Sequence, residues 1–201
     1  LFFPATQRNQ ESIGKVLSKV LPQKGFVLEI ASGSGEHGVI FQERFPTLNW
    51  QTSECTPSCL KSISAWIEHK GLSTKMAQPL ELDVQKRPWP LNSDLRSNIQ
   101  VIVCINMIHI SPWACTEALV HEASDLLNED QLLILYGPFK IDDKHTSKSN
   151  FHFDLSLKAQ NPSWGVRDLD QVCELGQENG FDKHDVVEMP ANNLTLILHA
   201  N

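Results

Sequence analysis

Glu29-Ile30-Ala31-Ser32-Gly33-Ser34-Gly35 leads out of a short apolar run, residues 26–30, and into a helical pattern over residues 36–45. The run is typical of a buried strand, so the small residues stand in a turn between a strand and a helix. Glycines at 33 and 35 let a ligand approach the backbone where a side chain would collide. In open α/β sheets ligands bind beyond the carboxyl ends of the strands, so this turn is predicted to bind one.

The rest of the chain alternates apolar runs with helical periodicity, which is typical of βαβ units and a mainly parallel sheet. Strands are predicted at residues 26–30, 48–53, 75–82, 99–105, 132–136, 183–188 and 194–199. Helices are predicted at residues 13–21, 36–45, 59–67, 111–127 and 168–179, with Ser111 as N-cap and Pro112 as the first helical residue of the fourth. Pro79 is expected to put its strand at an edge. Residues 140–162 lack a period and are expected to form an irregular, lid-like insertion in a single domain, 1–201.

Composition limits the partners of the 201-residue chain. Its net charge is −7 and it has no basic run longer than Lys86-Arg87, which argues against nucleic acid. No apolar run approaches the roughly 20 residues that span a bilayer, so no membrane partner is expected. Five cysteines, without a secretion signal, favour a reducing cytoplasm. Cys55 and Cys59 have no second Cys/His pair nearby, and no metal is predicted.

Three carboxylates stand at or just past the ends of successive predicted strands: Glu29, Glu54 and Asp83. All three are expected at one edge of the sheet. S-adenosylmethionine suits them, because one carboxylate can accept both ribose hydroxyls and another the adenine amine. We assign Glu54 to the ribose, Asp83 to the adenine, and Glu29 to the cationic methionine end.

The same turn also fits a dinucleotide fingerprint. Gly33, Gly35 and Gly38 match GxGxxG, and Glu54 follows at about the distance of a ribose-binding acid. NAD is therefore a competing interpretation, as is a tight turn without a ligand. Two features argue against NAD: Ala31 and Ser32 intervene between the strand and the first glycine, and the chain has little length left for a separate substrate domain.

A wider set of motifs resembles a known family. Residues 27–35 look like the first motif of class I methyltransferases. The chain-wide combination is similar to the methyltransferase-like group, formerly a domain of unknown function, that includes methyltransferase-like protein twenty-six. Its pieces are Arg8-Asn9, Trp50-Gln51, Leu82-Asp83-Val84, Trp89-Pro90, residues 105–109, residues 136–139, Ser149-Asn150, Phe153-Asp154, Arg167-Asp168 and residues 190–193. Ala31 and Glu54 depart from the glycine and aspartate usual at these positions.

The resemblance implies a Rossmann-like class I methyltransferase fold, with a seven-stranded, mostly parallel sheet, an antiparallel last strand and helices on both faces. It implies S-adenosylmethionine as cofactor and names no acceptor; a small molecule is favoured over a protein side chain. The expected cofactor-binding residues are Arg8, Glu29, Ala31, Gly33, Gly35, Glu54, Asp83, Val84 and Asn106.

Methyl transfer from a sulfonium requires alignment of the acceptor and, for some acceptors, removal of a proton. Asn106, His109 and Tyr136 are the expected catalytic residues, with His109 as base or as a structural histidine. The expected acceptor-binding residues are Asn9, Tyr136, His152, Asp154, Asn192 and Asn193. Asn9 is alternatively the N-cap of the first helix. Two other functions stay open: an NAD(P)-dependent oxidoreductase and a non-catalytic S-adenosylmethionine-binding module.

Overall fold

The computed structural model describes the whole chain, Leu1–Asn201. Its helices are α1 (Pro4–Val20), α2 (Glu36–Arg44), α3 (Pro57–His69), α4 (Ser93–Asn98), α5 (Trp113–Leu126), α6 (Lys148–Gln160) and α7 (Leu169–Glu178). Its strands are β1 (Gly25–Ile30), β2 (Leu48–Glu54), β3 (Leu80–Glu81), β4 (Ile99–Ile105), β5 (Leu132–Gly137), β6 (Phe139–Ile141), β7 (Lys144–His145), β8 (Arg167–Asp168), β9 (Lys183–Met189) and β10 (Asn193–His199). A single 3₁₀ turn occupies Pro190–Asn192.

The main sheet has seven strands in the order β3-β2-β1-β4-β5-β10-β9. β1 pairs in parallel with β2, and β2 with β3, whereas β10 runs antiparallel to both β5 and β9. The predicted fold class is therefore confirmed: a mostly parallel α/β sheet whose last strand is antiparallel. A second sheet, of three short strands in the order β7-β6-β8, was not predicted.

The third predicted strand is shorter than expected. Only Leu80 and Glu81 pair with the end of β2, although residues 75–82 were predicted. Gln51 reaches past the end of this pairing and donates from its side chain to the Gln78 carbonyl at 3.0 Å. Pro79 has no N–H to continue the ladder, and β3 is the edge strand that this proline predicted.

Residues 140–162 are not irregular, so that prediction is wrong. They contain part of β6, all of β7 and the 13-residue helix α6. The Ser147 hydroxyl caps α6 by accepting from the Asn150 amide at 3.1 Å. The buried face of α6 consists of Asn150, Asp154 and Leu157. Because two of these three are polar, helical spacing could not show in the hydrophobic pattern.

Two helix starts also differ from the expectation. α1 begins at Pro4, about two turns earlier than the apolar pattern indicates, so Arg8 and Asn9 lie within it. α5 begins at Trp113 with Pro112 as its N-cap, so Ser111 is not the cap. The Ser111 hydroxyl instead donates to the Met107 carbonyl at 2.9 Å. The φ of Pro112, −58°, suits a helix, but its ψ of 153° is extended, so the helix begins one residue later.

The chain divides into two compact units, Leu1–Val103 and Cys104–Asn201. The first has a core of fully buried side chains that includes Leu17, Leu28, Phe41 and Ile63, and the second one that includes Leu119, Leu133, Phe139 and Leu196. The assignment of 1–201 to one domain stays a prediction. None of the helices combines the length and the apolar character needed to cross a membrane.

Candidate functional site

The turn after β1 is held against the end of β2. The Ser32 amide donates to the Ser53 carbonyl at 2.9 Å, and the Ser53 hydroxyl donates back to the Glu29 carbonyl at 2.7 Å. Ala31, Gly33 and Gly35 all have positive φ, at 56°, 59° and 91°. Such angles suit glycine and are uncommon for alanine, so the turn is tightly specified.

The two glycines of the turn serve different purposes. A Cβ at Gly35 would lie 2.7 Å from the Ile63 Cα, so this glycine lets α3 approach the start of α2. A Cβ at Gly33 would meet only the ring of Phe3, at 3.0 Å. Since Phe3 is an exposed side chain near the chain start, the approach to Gly33 is bounded by a group that can move.

Glu54, at the end of β2, reaches the turn directly. Its Oε1 accepts from the Gly33 amide at 3.3 Å, while Oε2 accepts from the amides of Cys55 at 2.7 Å and Thr56 at 3.2 Å. The carboxylate is only half-buried. It therefore stands between the turn and the start of α3 with a face open to a ligand.

Asp83 follows β3 and lines a pocket of ≈ 410 Å³ with Cys55, Glu81, Lys86 and two prolines. Its Oδ1 accepts from the Gln85 amide at 3.1 Å, and its Oδ2 lies 3.4 Å from the Lys86 ammonium. Both Asp83 and the adjacent Val84 are half-exposed. The pocket lies at the carboxyl ends of β2 and β3. Cys55, which lines its edge, directly follows Glu54 in the chain.

Glu29 differs from the other two acids because it is sealed inside the first unit. It is 1% exposed, and its Oε2 accepts from the Trp50 indole N–H at 2.7 Å. Burial raises the pKa of this carboxyl to about 7, partly offset by the Trp50 bond. A Cβ at Gly38 would lie 3.0 Å from the same oxygen, so the start of α2 packs on Glu29. Its contact with a cofactor stays a prediction.

Sequence reasoning missed Glu36, the first residue of α2. Its Oε2 accepts from the Ser34 hydroxyl at 2.7 Å and from the Phe3 amide at 2.8 Å. It thereby joins the turn to the segment before α1. An acid in the first turn of a helix interacts favourably with the helix dipole, which was the available signal.

Arg8 and Asn9 have separate surroundings on α1. Arg8 is exposed. Asn9 is 8% exposed, and its Oδ1 lies 2.8 Å from His37 Nε2 on α2. Asn9 is therefore not an N-cap; it joins α1 to α2. Burial lowers the pKa of His37 to about 4, so the ring is neutral at pH 7.

The second unit carries the expected catalytic residues after β4. Asn106 has a positive φ of 65°, and its amide donates to the Tyr136 carbonyl on β5 at 2.8 Å. Asparagine tolerates this conformation better than most residues. Tyr136 is 3% exposed. Asn106 is half-exposed, so its side chain is the more accessible of the two.

His109 is 2% exposed, and its Nδ1 is buried without a hydrogen-bonding partner. A Cβ at Gly137 would lie 2.5 Å from the ring, so the imidazole requires glycine there. The Phe153 ring of α6 meets it edge-on at 5.8 Å. Burial, with the positive charge of Arg167, lowers the pKa of His109 to about 3. The imidazole is therefore neutral at physiological pH.

The predicted acceptor residues of the second unit fall into two groups. Asp154 is buried and accepts from Lys158 Nζ and from the Val166 amide, both at 2.7 Å, which lowers its pKa against the opposing effect of burial. His152 is exposed on α6. The carbonyl of Asn192 accepts from the Asn150 side chain at 2.8 Å, and Asn193 donates to the Pro190 carbonyl at 3.2 Å. Asp154 and Asn192 are thus tied to protein groups, whereas His152 faces solvent.

No group of three or more His, Cys, Asp or Glu side chains is placed to hold a metal ion.

Several solved methyltransferases share this fold. A putative O-methyltransferase from Nostoc punctiforme PCC 73102 has a TM-score of 0.81 at 15% identity, over 96% of this chain and 56% of its own. The S-adenosylmethionine-dependent methyltransferase SibL, in its apo form, has a TM-score of 0.77 at 14% identity, over 97% and 55%. Human N-acetylserotonin methyltransferase, in complex with S-adenosylmethionine, has a TM-score of 0.78 at 12% identity, over 98% and 53%.

At these low sequence identities the similarity concerns the fold alone. That fold is the Rossmann-like architecture of class I methyltransferases. The chain spans about half the length of the solved proteins it matches. The family is defined by sequence. The chain belongs to the family described as "Protein of unknown function (DUF938)", which matches residues 1–200.

Proposed function

We propose that this chain binds S-adenosylmethionine and is a methyltransferase whose acceptor is a small molecule. The observation that carries the proposal is the 3.3 Å hydrogen bond from the Gly33 amide to Glu54. It puts a half-exposed carboxylate beside a turn of positive-φ residues, where a nucleoside with vicinal hydroxyls fits. The solved methyltransferases of the same fold, one of them with S-adenosylmethionine bound, support the same choice.

Asp83 extends the proposal from the ribose to the adenine. Its carboxylate lies in the pocket that continues from Cys55, the residue after Glu54. A carboxylate there accepts from an exocyclic amine, and the pocket of ≈ 410 Å³ is large enough for a purine ring. The backbone of Ala31, Gly33 and Gly35, with Val84, is proposed to line the rest of the cofactor. Arg8 and Asn106 are proposed as further contacts.

Glu29 is proposed to act from behind the turn. Its carboxyl group, near the end of β1, accepts a hydrogen bond from the Trp50 indole and packs against the start of α2. In this way it would support the turn that contacts the cofactor. NAD remains the competing ligand. Because both NAD and S-adenosylmethionine contain a ribose, a ribose contact alone does not distinguish them. S-adenosylmethionine is favoured by the acid at the third strand end and by the fold of the solved methyltransferases.

The bound cofactor supplies an electrophilic methyl group, and the protein aligns the acceptor. His109 and Asn106 are proposed to do so, with Tyr136, His152 and Asn193 near the acceptor. Because burial and the charge of Arg167 lower the pKa of His109 to about 3, its neutral imidazole can accept a hydrogen bond but binds a second proton weakly. His109 therefore suits orientation of an acceptor hydroxyl or amine, and acceptors that lose their proton easily are favoured.

The proposal is tested by transfer of label from methyl-tritiated S-adenosylmethionine. The purified chain is incubated with a cell extract, and small molecules and proteins are separated before counting. Label in a small-molecule product separated from S-adenosylmethionine, above the level in extract without the chain, is expected with the wild-type chain and with Lys183→Gln, an exposed control on β9. A strong loss is expected with Asn106→Ala. Cofactor binding without any transfer contradicts the methyltransferase activity and favours a non-catalytic binding module.

A further inference from the structure

We propose that Arg167 is a positioning residue. Its hydrogen bonds fix the conformation of the loop between β4 and α5, which carries His109. The inference rests on the proposed function in so far as that loop serves the acceptor. Arg167 begins β8, and its guanidinium is half-buried. Neither sequence spacing nor a motif assigned it a role beyond the family resemblance.

Arg167 holds the loop by its backbone on both sides of His109. Its Nε donates to the Ile108 carbonyl at 2.9 Å, and one terminal nitrogen donates to the Ser111 carbonyl at 2.6 Å. The same nitrogen donates to the Ser163 carbonyl at 3.1 Å. A planar guanidinium can serve three carbonyls in a fixed geometry, which a lysine ammonium cannot reproduce.

Two further contacts fix the guanidinium and the loop. The Gly165 amide donates to the His109 carbonyl at 3.0 Å, so the segment before β8 also bonds to the loop between the two arginine contacts. The guanidinium carbon lies 5.7 Å from the centre of the Trp113 ring, on the first residue of α5. Arg167 thus joins β8, the loop after β4 and the start of α5.

The charge of Arg167 also acts on the imidazole. It opposes protonation of His109, in addition to burial. The other charged and titratable groups nearby do not reverse this. On α6, Asp154 is paired with Lys158 and lies 3.4 Å from His145 of β7, while on α5 Cys115 interacts with Arg167 itself. No carboxylate is bonded to the His109 ring to raise its pKa.

Two variants separate the effect of the Arg167 hydrogen bonds from the effect of its charge. Arg167→Lys keeps the charge, and Arg167→Gln removes it. Lys183→Gln is the matched control for loss of one cation from an exposed site. Amide hydrogen exchange is measured for residues 108–111, and the His109 ring is titrated by NMR with labelled histidine. Neither measurement needs an acceptor.

Exchange in the loop is expected to rise about tenfold in both Arg167 variants and not in the control. The His109 pKa is expected to rise in Arg167→Gln and to stay low in Arg167→Lys. If Arg167→Gln does not fold, the exchange of Arg167→Lys decides the matter. If a folded Arg167→Lys shows the same loop exchange as the wild type, the hydrogen bonds of Arg167 do not position the loop. If a folded Arg167→Gln shows an unchanged His109 pKa, the charge of Arg167 does not act on the imidazole. S-adenosylmethionine binding by the wild-type chain is measured separately, so failure of the proposed function leaves these results interpretable.

Discussion

Glu54 accepts a hydrogen bond from the backbone amide of Gly33, at 3.3 Å. The parallel register of β1 and β2, with Glu29 opposite Thr52, brings the end of β2 level with the turn after β1. One carboxylate thus contacts the turn and the start of α3. A ligand that bonds to Glu54 therefore lies next to the glycine backbone, and this proximity is the basis of the proposed ribose site.

Replacing Glu54 is expected to weaken S-adenosylmethionine binding. Glu54→Ala should cost about 1–3 kcal/mol, the usual scale for a hydrogen bond to a charged group. Because the carboxylate also accepts from the Cys55 and Thr56 amides, Glu54→Gln is the companion variant that retains an accepting oxygen. Calorimetry measures affinity, with the exposed Glu178→Ala as control. Wild-type affinity in both Glu54 variants would show that the ribose binds elsewhere.

Asp83→Asn is expected to lower affinity for S-adenosylmethionine by about tenfold, since an amide accepts more weakly from the adenine amine than a carboxylate does. Selectivity gives a sharper readout, because a ligand with a hypoxanthine base in place of adenine should lose less. Asp130→Asn, in an exposed loop, is the control. Equal losses for the two bases would remove Asp83 from the adenine site.

Glu29 is expected to make stability depend on pH. Its pKa is about 7 when folded, against 4.5 as the reference value, so the folded state binds more protons between these pH values. Stability from this group is therefore present at low pH and is lost as pH rises from about 4.5 to 7, by a total on the order of 3 kcal/mol.

The comparison with Glu29→Gln isolates this effect, because glutamine can still accept from Trp50 and does not titrate. Urea unfolding is measured from pH 4.5 to 8 for both proteins. The difference between the two proteins is needed because buried His37 and His109 have lowered pKa values, so their contribution to stability increases as pH rises. Subtracting the variant profile removes this opposite pH dependence. Wild-type and variant profiles that run parallel would mean that folding does not raise the pKa of Glu29.

Gly35→Ala is expected to destabilise the first unit much more than Gly71→Ala. Both glycines have positive φ, 91° and 66°, so both substitutions incur backbone strain. At Gly35 a Cβ also meets the Ile63 backbone at 2.7 Å, whereas nothing lies within 4 Å at Gly71. An additional loss of about 1–3 kcal/mol is expected at Gly35. Thermal unfolding checks this, and equal losses at the two positions would exclude close packing of α3 on the turn.

The strands and the turn could be predicted because their signals are local. β4 was predicted with its observed bounds, since the apolar run over residues 101–105 is a signal that neighbours cannot obscure. The turn was predicted from glycine spacing, although Gly35 proves to be needed by α3 as well as by the turn. Which of two neighbouring glycines faces a ligand depends on packing partners that are distant in sequence.

The side-chain environment was harder to predict. Three acids at strand ends look alike in sequence, yet Glu29 lies under α2 with Trp50, while Glu54 and Asp83 are half-exposed. α6 was missed because Asn150 and Asp154 form its buried face, and Arg167 was missed because its partners are carbonyls, which have no signature in sequence.

The central claim is tested most directly by calorimetric titration of the wild-type chain with S-adenosylmethionine, S-adenosylhomocysteine and NAD. Saturable heats with both adenosyl ligands and none with NAD are predicted, and both affinities should fall in Glu54→Ala. Saturable NAD binding without heat from S-adenosylmethionine would contradict the account.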